Sequence, residues 1–420
     1  MTKFYNRLNP RYNPALLRHI YTPLGPRAFY DSVSFCNRCG CCQQDCPAYR
    51  IFLQEPFSPR GRNQLIRLIM ENKLNPRTAD KQLRKILDTC ILCGKCSGVC
   101  AGQIPTAEHI LQLRRAIGKR ALPFTLHHIL RWRRTAPKLF NAVVKSGLLL
   151  RRTGILHLLG ALHLLPAWLA HANAILPKKT NSLRSEKAQP QTPTLIYLPS
   201  MEVSYFAADT AHALLEKISQ RFTPVVWHNI PSGLFSYVYE RDVRLARMQL
   251  RRLIKRHAHT ANGALPLLTD SIDVYLFLKK APQLFAPDSN SQKRAQHFAD
   301  CVRFVTDFIS PEKTKDAPKT ALDTSALLWQ DDPVFDRTAK KFMDVLEGNF
   351  VECLYTGLSI AAGGQSFVNV PLAQEMGCLC VRRYAQQQVE SVIVLSVLAQ
   401  MEMSFLLKKF YPHATAHFVI

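Results

Sequence analysis

The sequence predicts an α+β multidomain protein: a helical N-terminal module with two cysteine-rich turns, a basic helical connector, and a duplicated C-terminal α/β region. Three observations carry this reading. Nine of the 13 cysteines fall between Cys36 and Cys100. From His109 to Ser185 there are fourteen Lys and Arg and no Asp or Glu, over half of the net +25 charge. Beyond residue 194, short apolar runs alternate with helical stretches, the pattern of α/β units on a mostly parallel sheet. The 420 residues are 47% hydrophobic and 20% charged, enough core for two or three domains. That composition excludes disorder, collagen and coiled coil as descriptions of the whole chain.

Met1 to Arg18 is polar, basic and contains Pro, with no apolar run of the kind a secretory signal needs. The expected location is therefore cytoplasmic, a reducing compartment in which clustered Cys are metal ligands or redox groups before they are disulfides. Leu65, Leu68 and Ile69, then Leu83, Ile86 and Leu87, recur at helical spacing and predict helices over Arg62–Lys73 and Thr78–Asp88 between the two Cys runs.

Each run has the spacing Cys-x2-Cys-x2-Cys-x3-Cys: Cys36, Cys39, Cys42 and Cys46, then Cys90, Cys93, Cys96 and Cys100. That is the spacing of two-cluster bacterial ferredoxins. Three Cys two residues apart wrap one tight turn and present three thiolates to one iron–sulfur cube. The fourth cannot reach the same cube and serves the cube of the other run. The expected ligand sets are Cys36, Cys39, Cys42 and Cys100 for one 4Fe–4S cluster, and Cys46, Cys90, Cys93 and Cys96 for the other. Zinc, which takes two Cys pairs separated by a dozen or more residues, fits this spacing poorly. Cys41 falls out of register and is expected to be a bystander. Gly40 and Gly94 allow the turns to bend, and Pro47 fixes the exit of the first run, where the second has Ala101.

In the connector, Thr153 to Pro177 carries no charged residue and is long enough to span a bilayer. His157, His163, His171, Asn173 and Pro166 argue against a span. Short helices packed on the protein, or lying on a membrane surface with Arg on the polar side, are the competing expectations. Arg131 to Arg134 reads as a solvated basic face. The duplication rests on Leu267 to Val305 and Ile393 to Ile420, which share the order strand, turn, helix, Lys-Lys pair, strand.

Two ferredoxin runs, a basic helical segment and a duplicated α/β region resemble the iron–sulfur subunits of glycolate oxidase and related 2-hydroxy-acid dehydrogenases. Anaerobic glycerol-3-phosphate dehydrogenase and heterodisulfide reductase subunits are similar. Pro59-Arg60-Gly61-Arg62 matches the Pro-Arg-Gly-Arg of the glycolate oxidase group. The resemblance implies a ferredoxin-type domain over 1–110 with two 4Fe–4S clusters and a connector over 111–177; the polar, aperiodic stretch 178–194 reads as a linker. Two degenerate cysteine-rich-type α/β halves follow, over 195–310 and 326–420. The resemblance also implies a non-catalytic electron-transfer subunit relaying electrons from a flavoprotein dehydrogenase of a glycolate- or lactate-type acid toward quinone or another acceptor. The basic, acid-free segment from His109 to Ser185 adds the expectation of an anionic membrane surface as a partner. Where that family carries Cys-Cys-Gly motifs, this chain has Pro231-Ser232-Gly233 and Ala361-Ala362-Gly363. The flanking positions are Met201, Ser271, Val334 and Ser396. No further metal is therefore expected there, and a heterodisulfide-reductase-like catalytic role is disfavoured. Cys301 and Cys353 read as small core hydrophobes. A basic nucleic-acid-binding protein is the alternative from another class, but no DNA- or RNA-binding module is visible and no nucleic-acid partner is expected. Nor is there a Gly-x-Gly-x-x-Gly or a phosphate-loop frame at Gly363-Gly364-Gln365-Ser366.

Overall fold

Ser58 and Pro59 start the helix around which the N-terminal unit is built. The Ser58 hydroxyl accepts from the Gly61 N–H at 2.9 Å, and Pro59, with no N–H to leave unsatisfied, takes the first helical position. The computed structural model describes residues 17, 19–22, 25–76, 80–117, 123–177, 183, 192–228, 230–309, 318–323, 333–345, 350–353, 367 and 369–419. It is mixed helix and sheet and divides into two compact units.

The first unit opens with an antiparallel pair, β1 (His19–Thr22) and β2 (Gly25–Ala28), with His19 opposite Ala28. The sequence pattern predicts only helices here; a four-residue strand containing Pro26 gives too short an alternation to read. Then come α1 (Phe29–Ser34), α2 (Cys41–Gln44), α3 (Pro47–Phe52), α4 (Pro59–Met70), α5 (Asp80–Asp88), α6 (Lys95–Gly98) and α7 (Thr106–Ile117). Ile66, Ile69, Leu83, Leu87, Ile110 and Leu113 form its apolar interior. A buried polar clamp joins three of its helices. His109 on α7 is hydrogen-bonded through Nε2 to Ser32 Oγ of α1 at 2.8 Å and through Nδ1 to Asn63 Oδ1 of α4 at 3.0 Å. Asn63 Nδ2 donates to Thr106 Oγ1 at 2.8 Å. An amide oxygen only accepts, so Nδ1 must carry the proton and Nε2 must accept from Ser32.

The second unit begins with α8 (Phe124–Thr135), α9 (Pro137–Arg152), α10 (Ile155–Ala161) and α11 (Ala167–Ile175). The uncharged run is thus two short helices broken at Pro166, and among the described residues no helix is long and apolar enough to cross a membrane. Arg151 ties α9 to the end of α11, donating to the carbonyls of Leu176 and Pro177 at 2.6 Å and to Asn173 Oδ1 at 3.1 Å. Arg133 departs from the expected solvated face: it lies beside Tyr205, and burial pulls its pKa down.

Two four-stranded parallel sheets follow. β3 (Leu195–Leu198), β4 (Pro224–Val226), β5 (Leu267–Thr269) and β6 (Val302–Phe304) stand in the order β4-β3-β5-β6. β7 (Thr320–Asp323), β8 (Phe350–Cys353), β9 (Ser391–Val394) and β10 (Thr415–Phe418) stand as β8-β7-β9-β10. Numbered within its own half, each sheet runs 2-1-3-4, so the repeat seen in sequence recurs as topology. The final crossover differs. In the second half α12 (Val397–Phe410) alone joins the third strand to the fourth, whereas the first half interposes two α-helices, Ile272–Lys279 and Asn290–Cys301. Glu402 of α12 and His171 of α11 form a buried pair at 2.6 Å.

Candidate metal centre

The two cysteine runs fold into the same local shape. In the first, Arg38 (φ 57°) and Gly40 (φ 89°) are both left-handed; in the second, Leu92 (φ 57°) and Gly94 (φ 78°) are. Gly is the residue that takes this region without penalty. The single-turn helices α2 and α6 follow, closed by matching bonds. Gln43 N–H donates to Gly40 O at 2.9 Å and Ser97 N–H to Gly94 O at 2.8 Å. Cys46 N–H to Gln43 O and Cys100 N–H to Ser97 O are both 3.2 Å. Alternating right- and left-handed residues turn successive backbone N–H groups toward one concavity, a shape that suits an anionic group.

Cys46, Cys90, Cys93 and Cys96 line one small cavity of about 20 Å³, walled by Pro47, Pro59, Arg62, Ile91 and Ile110. The structure therefore brings together the fourth cysteine of the first run and the first three of the second. Burial pushes the Cys93 thiol up to about 12, against the pull of the Lys95 backbone N–H. Cys96 is raised well above its ordinary value, and Cys46 is raised, both chiefly by burial. The Arg62 guanidinium and the Tyr49 backbone N–H pull Cys46 the other way. These thiols would be neutral on their own; bound iron deprotonates such a ligand outright.

The other set is less enclosed. Cys36, Cys46 and Cys100 are all near enough for their charges to act on Cys42. Burial pushes Cys42 up to about 12, opposed by the Arg60 backbone N–H. Cys39 is exposed. Its pKa is lowered, mainly by the Cys41 backbone N–H and then by a hydrogen bond from the Cys41 thiol. Cys41, expected to be a bystander, is thus a neighbour of a ligand candidate. Among the described residues, no three His, Cys, Asp or Glu converge as ligands of a single ion do. Four thiols on one cavity, backbone N–H groups toward Cys46 and Cys93, and an apolar wall suit 4Fe–4S chemistry.

Residues 32–104 match the 4Fe-4S dicluster domain family. The chain therefore carries a ferredoxin-type iron–sulfur domain, the electron-transfer element of such proteins. The chain is also similar to the glycolate oxidase iron-sulfur subunit of Escherichia coli (strain K12), 33% identical over 122 residues. That alignment covers 28% of each chain, so it spans well under half the length of the relative. No solved structure matches the chain.

Outside this unit, the strand ends where the resemblance expects further cysteines are closed by ordinary hydrogen bonds. Asp270 accepts from Tyr197 O–H at 2.6 Å and from Ser200 N–H at 2.9 Å. Burial raises Asp270 to about 6. Ser271 and Ser396 occupy helix N-caps. Gly233 (φ 101°) makes a tight turn in which an added Cβ would meet Ala246 O at 3.1 Å. Ala361-Ala362-Gly363 and Gly364-Gln365-Ser366 lie outside the described residues, as do the side chains of Val334 and Cys353. Cys380 is buried in the core of the second half. Cys301 is only partly buried and points its thiol at Gly263 O at 3.7 Å. Sequence reasoning missed Arg62: a buried Arg whose partners are 16 to 27 residues away leaves no spacing signal.

Proposed function

We propose that the chain is an electron-transfer subunit that holds two 4Fe–4S clusters and relays single electrons from a flavoprotein dehydrogenase of a small 2-hydroxy acid toward quinone or another acceptor. The observation that carries this reading is the convergence of Cys46 with Cys90, Cys93 and Cys96 on one buried cavity, within the segment that matches the dicluster family. Bound clusters would supply the reversible one-electron couple. The residues of this chain supply the rest. Cys36, Cys39, Cys42 and Cys100 hold one cluster, and Cys46, Cys90, Cys93 and Cys96 the other. Backbone N–H groups of Arg60, Tyr49 and Lys95 face ligand sulfurs, and Ile91 and Ile110 keep water from the second set. The glycolate oxidase relative supports a flavoprotein partner.

Support for a membrane-surface partner comes from α8 to α10. Half of the 16 exposed large hydrophobic residues in the described chain lie between Phe124 (75% exposed) and Leu164 (67%). Exposed Arg131, Lys138, Lys145 and Arg152 accompany them, with no acid in the segment. Anionic headgroups offer about 1 kcal/mol per Lys or Arg at the surface, and the leucines add apolar area. A quinone would be at hand there.

Two measurements on the anaerobically purified chain test this reading. Its visible absorption should bleach with dithionite and return when a water-soluble quinone is added; iron-containing protein that does neither contradicts electron relay. The chain should float with anionic liposomes in a salt-sensitive way and not with neutral ones. Equal behaviour with both defeats the membrane surface and leaves the acidic face of a partner subunit.

A further inference from the structure

Pro59-Arg60-Gly61-Arg62 places two arginines beside the two cysteine sets in different electrical settings. Arg60 is at the surface. Its guanidinium pairs with Glu55 at 2.7 Å, with side chains 31% and 48% exposed, and donates to Arg38 O at 3.0 Å. Its charge is both neutralised and screened. Arg62 is 1% exposed, among the largest fully buried side chains of the protein. Nε donates to Ile86 O at 3.0 Å, Nη2 to Thr89 Oγ1 at 2.9 Å, and Nη1 points at Cys46 Sγ at 3.8 Å. Thr89 is itself anchored, donating to Ile86 O at 2.8 Å. The guanidinium is thus fixed by α5 and the turn after it, and forms part of the wall of the cavity lined by Cys46, Cys90, Cys93 and Cys96.

A guanidinium stays protonated at any working pH, and burying that charge away from water is costly unless something negative faces it. A cluster ligated by four thiolates is negatively charged and gains one more negative charge on reduction. Burial alone works against that added charge and makes the cluster hard to reduce; a fixed cation against one ligand sulfur works the other way. We propose that Arg62 is a positioning residue for electron transfer, seated against Cys46 so as to hold up the reduction potential of the cluster built on Cys46, Cys90, Cys93 and Cys96. This rests on the two-cluster reading above. One electron enters from the flavin donor, or from dithionite in the test, and one leaves to the acceptor. No bond is made or broken.

The test is a potentiometric EPR titration of the anaerobically purified full chain. Wild-type protein must first show two cluster signals; without them the two-cluster reading fails, whatever Arg62 does. In Arg62→Gln one signal should become harder to reduce by a factor of about ten or more, which is about 59 mV per tenfold for a one-electron couple. That signal should be the one removed by Cys93→Ser. Arg62→Lys should recover part of the shift, and Arg60→Gln should leave that midpoint in place. Unchanged midpoints in Arg62→Gln, or equal shifts of both, overturn the proposal. If Arg62→Gln assembles only one cluster, the surviving signal must belong to the Cys36 set, and Arg62→Lys carries the potential measurement. Loss of the Cys36 signal instead, or a midpoint shift in Arg62→Lys confined to the Cys36 set, would overturn it as well.

Discussion

Cys46 and Cys93 line the same cavity although they belong to different cysteine runs. After the left-handed turn at Gly40, α2 carries the chain on, and Cys46 N–H bonds Gln43 O before Pro47 opens the next helix. The fourth thiol thereby reaches the cavity of the second run.

Cys46→Ser should perturb the EPR signal that Cys93→Ser removes and spare the one that Cys36→Ser removes. The opposite outcome would show that each run ligates its own cluster. Cys41→Ser should leave both signals in place, while lifting the hydrogen bond that lowers Cys39. Loss of a signal in Cys41→Ser equal to that in Cys39→Ser would make Cys41 the ligand.

The clamp at His109 predicts a pH dependence of stability. Burial lowers the His109 pKa to about 3, against about 6.5 in the unfolded chain. Below about pH 6.5 the unfolded chain takes up a proton that the folded one refuses, so stability falls as pH drops toward 3. The loss approaches a few kcal/mol at its limit, since each tenfold difference in proton affinity is worth roughly 1.4 kcal/mol. Melting midpoints of wild type and His109→Gln between pH 7.5 and 5.5 check this: the wild type should lose more, and parallel curves would contradict it.

Gly61 should tolerate no side chain. An added Cβ would stand 2.0 Å from Glu55 O and 3.1 Å from Ser58 Oγ, so the start of α4 would have to move. Gly61→Ala should cost at least the typical 1–3 kcal/mol, roughly, of an overpacked site and reduce iron content, since Arg60 and Arg62 shift with it. Unchanged melting and iron content would show that the turn can relax.

The ligand candidates were legible because cluster ligation imposes a fixed spacing, and Gly40 and Gly94 marked the left-handed turns. The parallel halves were legible from alternating runs such as Leu195–Leu198 and Leu267–Thr269. What escaped was set by long-range packing. The β1–β2 hairpin is too short to show a period, and Arg133 turns inward toward Tyr205 although its neighbours read as a solvated face. Arg62 reads as one more basic residue until α5 and Thr89 close around it.

Iron and acid-labile sulfide counts on the anaerobically purified chain test the central claim most directly. Two 4Fe–4S clusters require about eight of each per chain, falling by about half in Cys93→Ser. Stoichiometric zinc without sulfide would contradict the account, and a count near twelve would contradict a C-terminal half without a cluster.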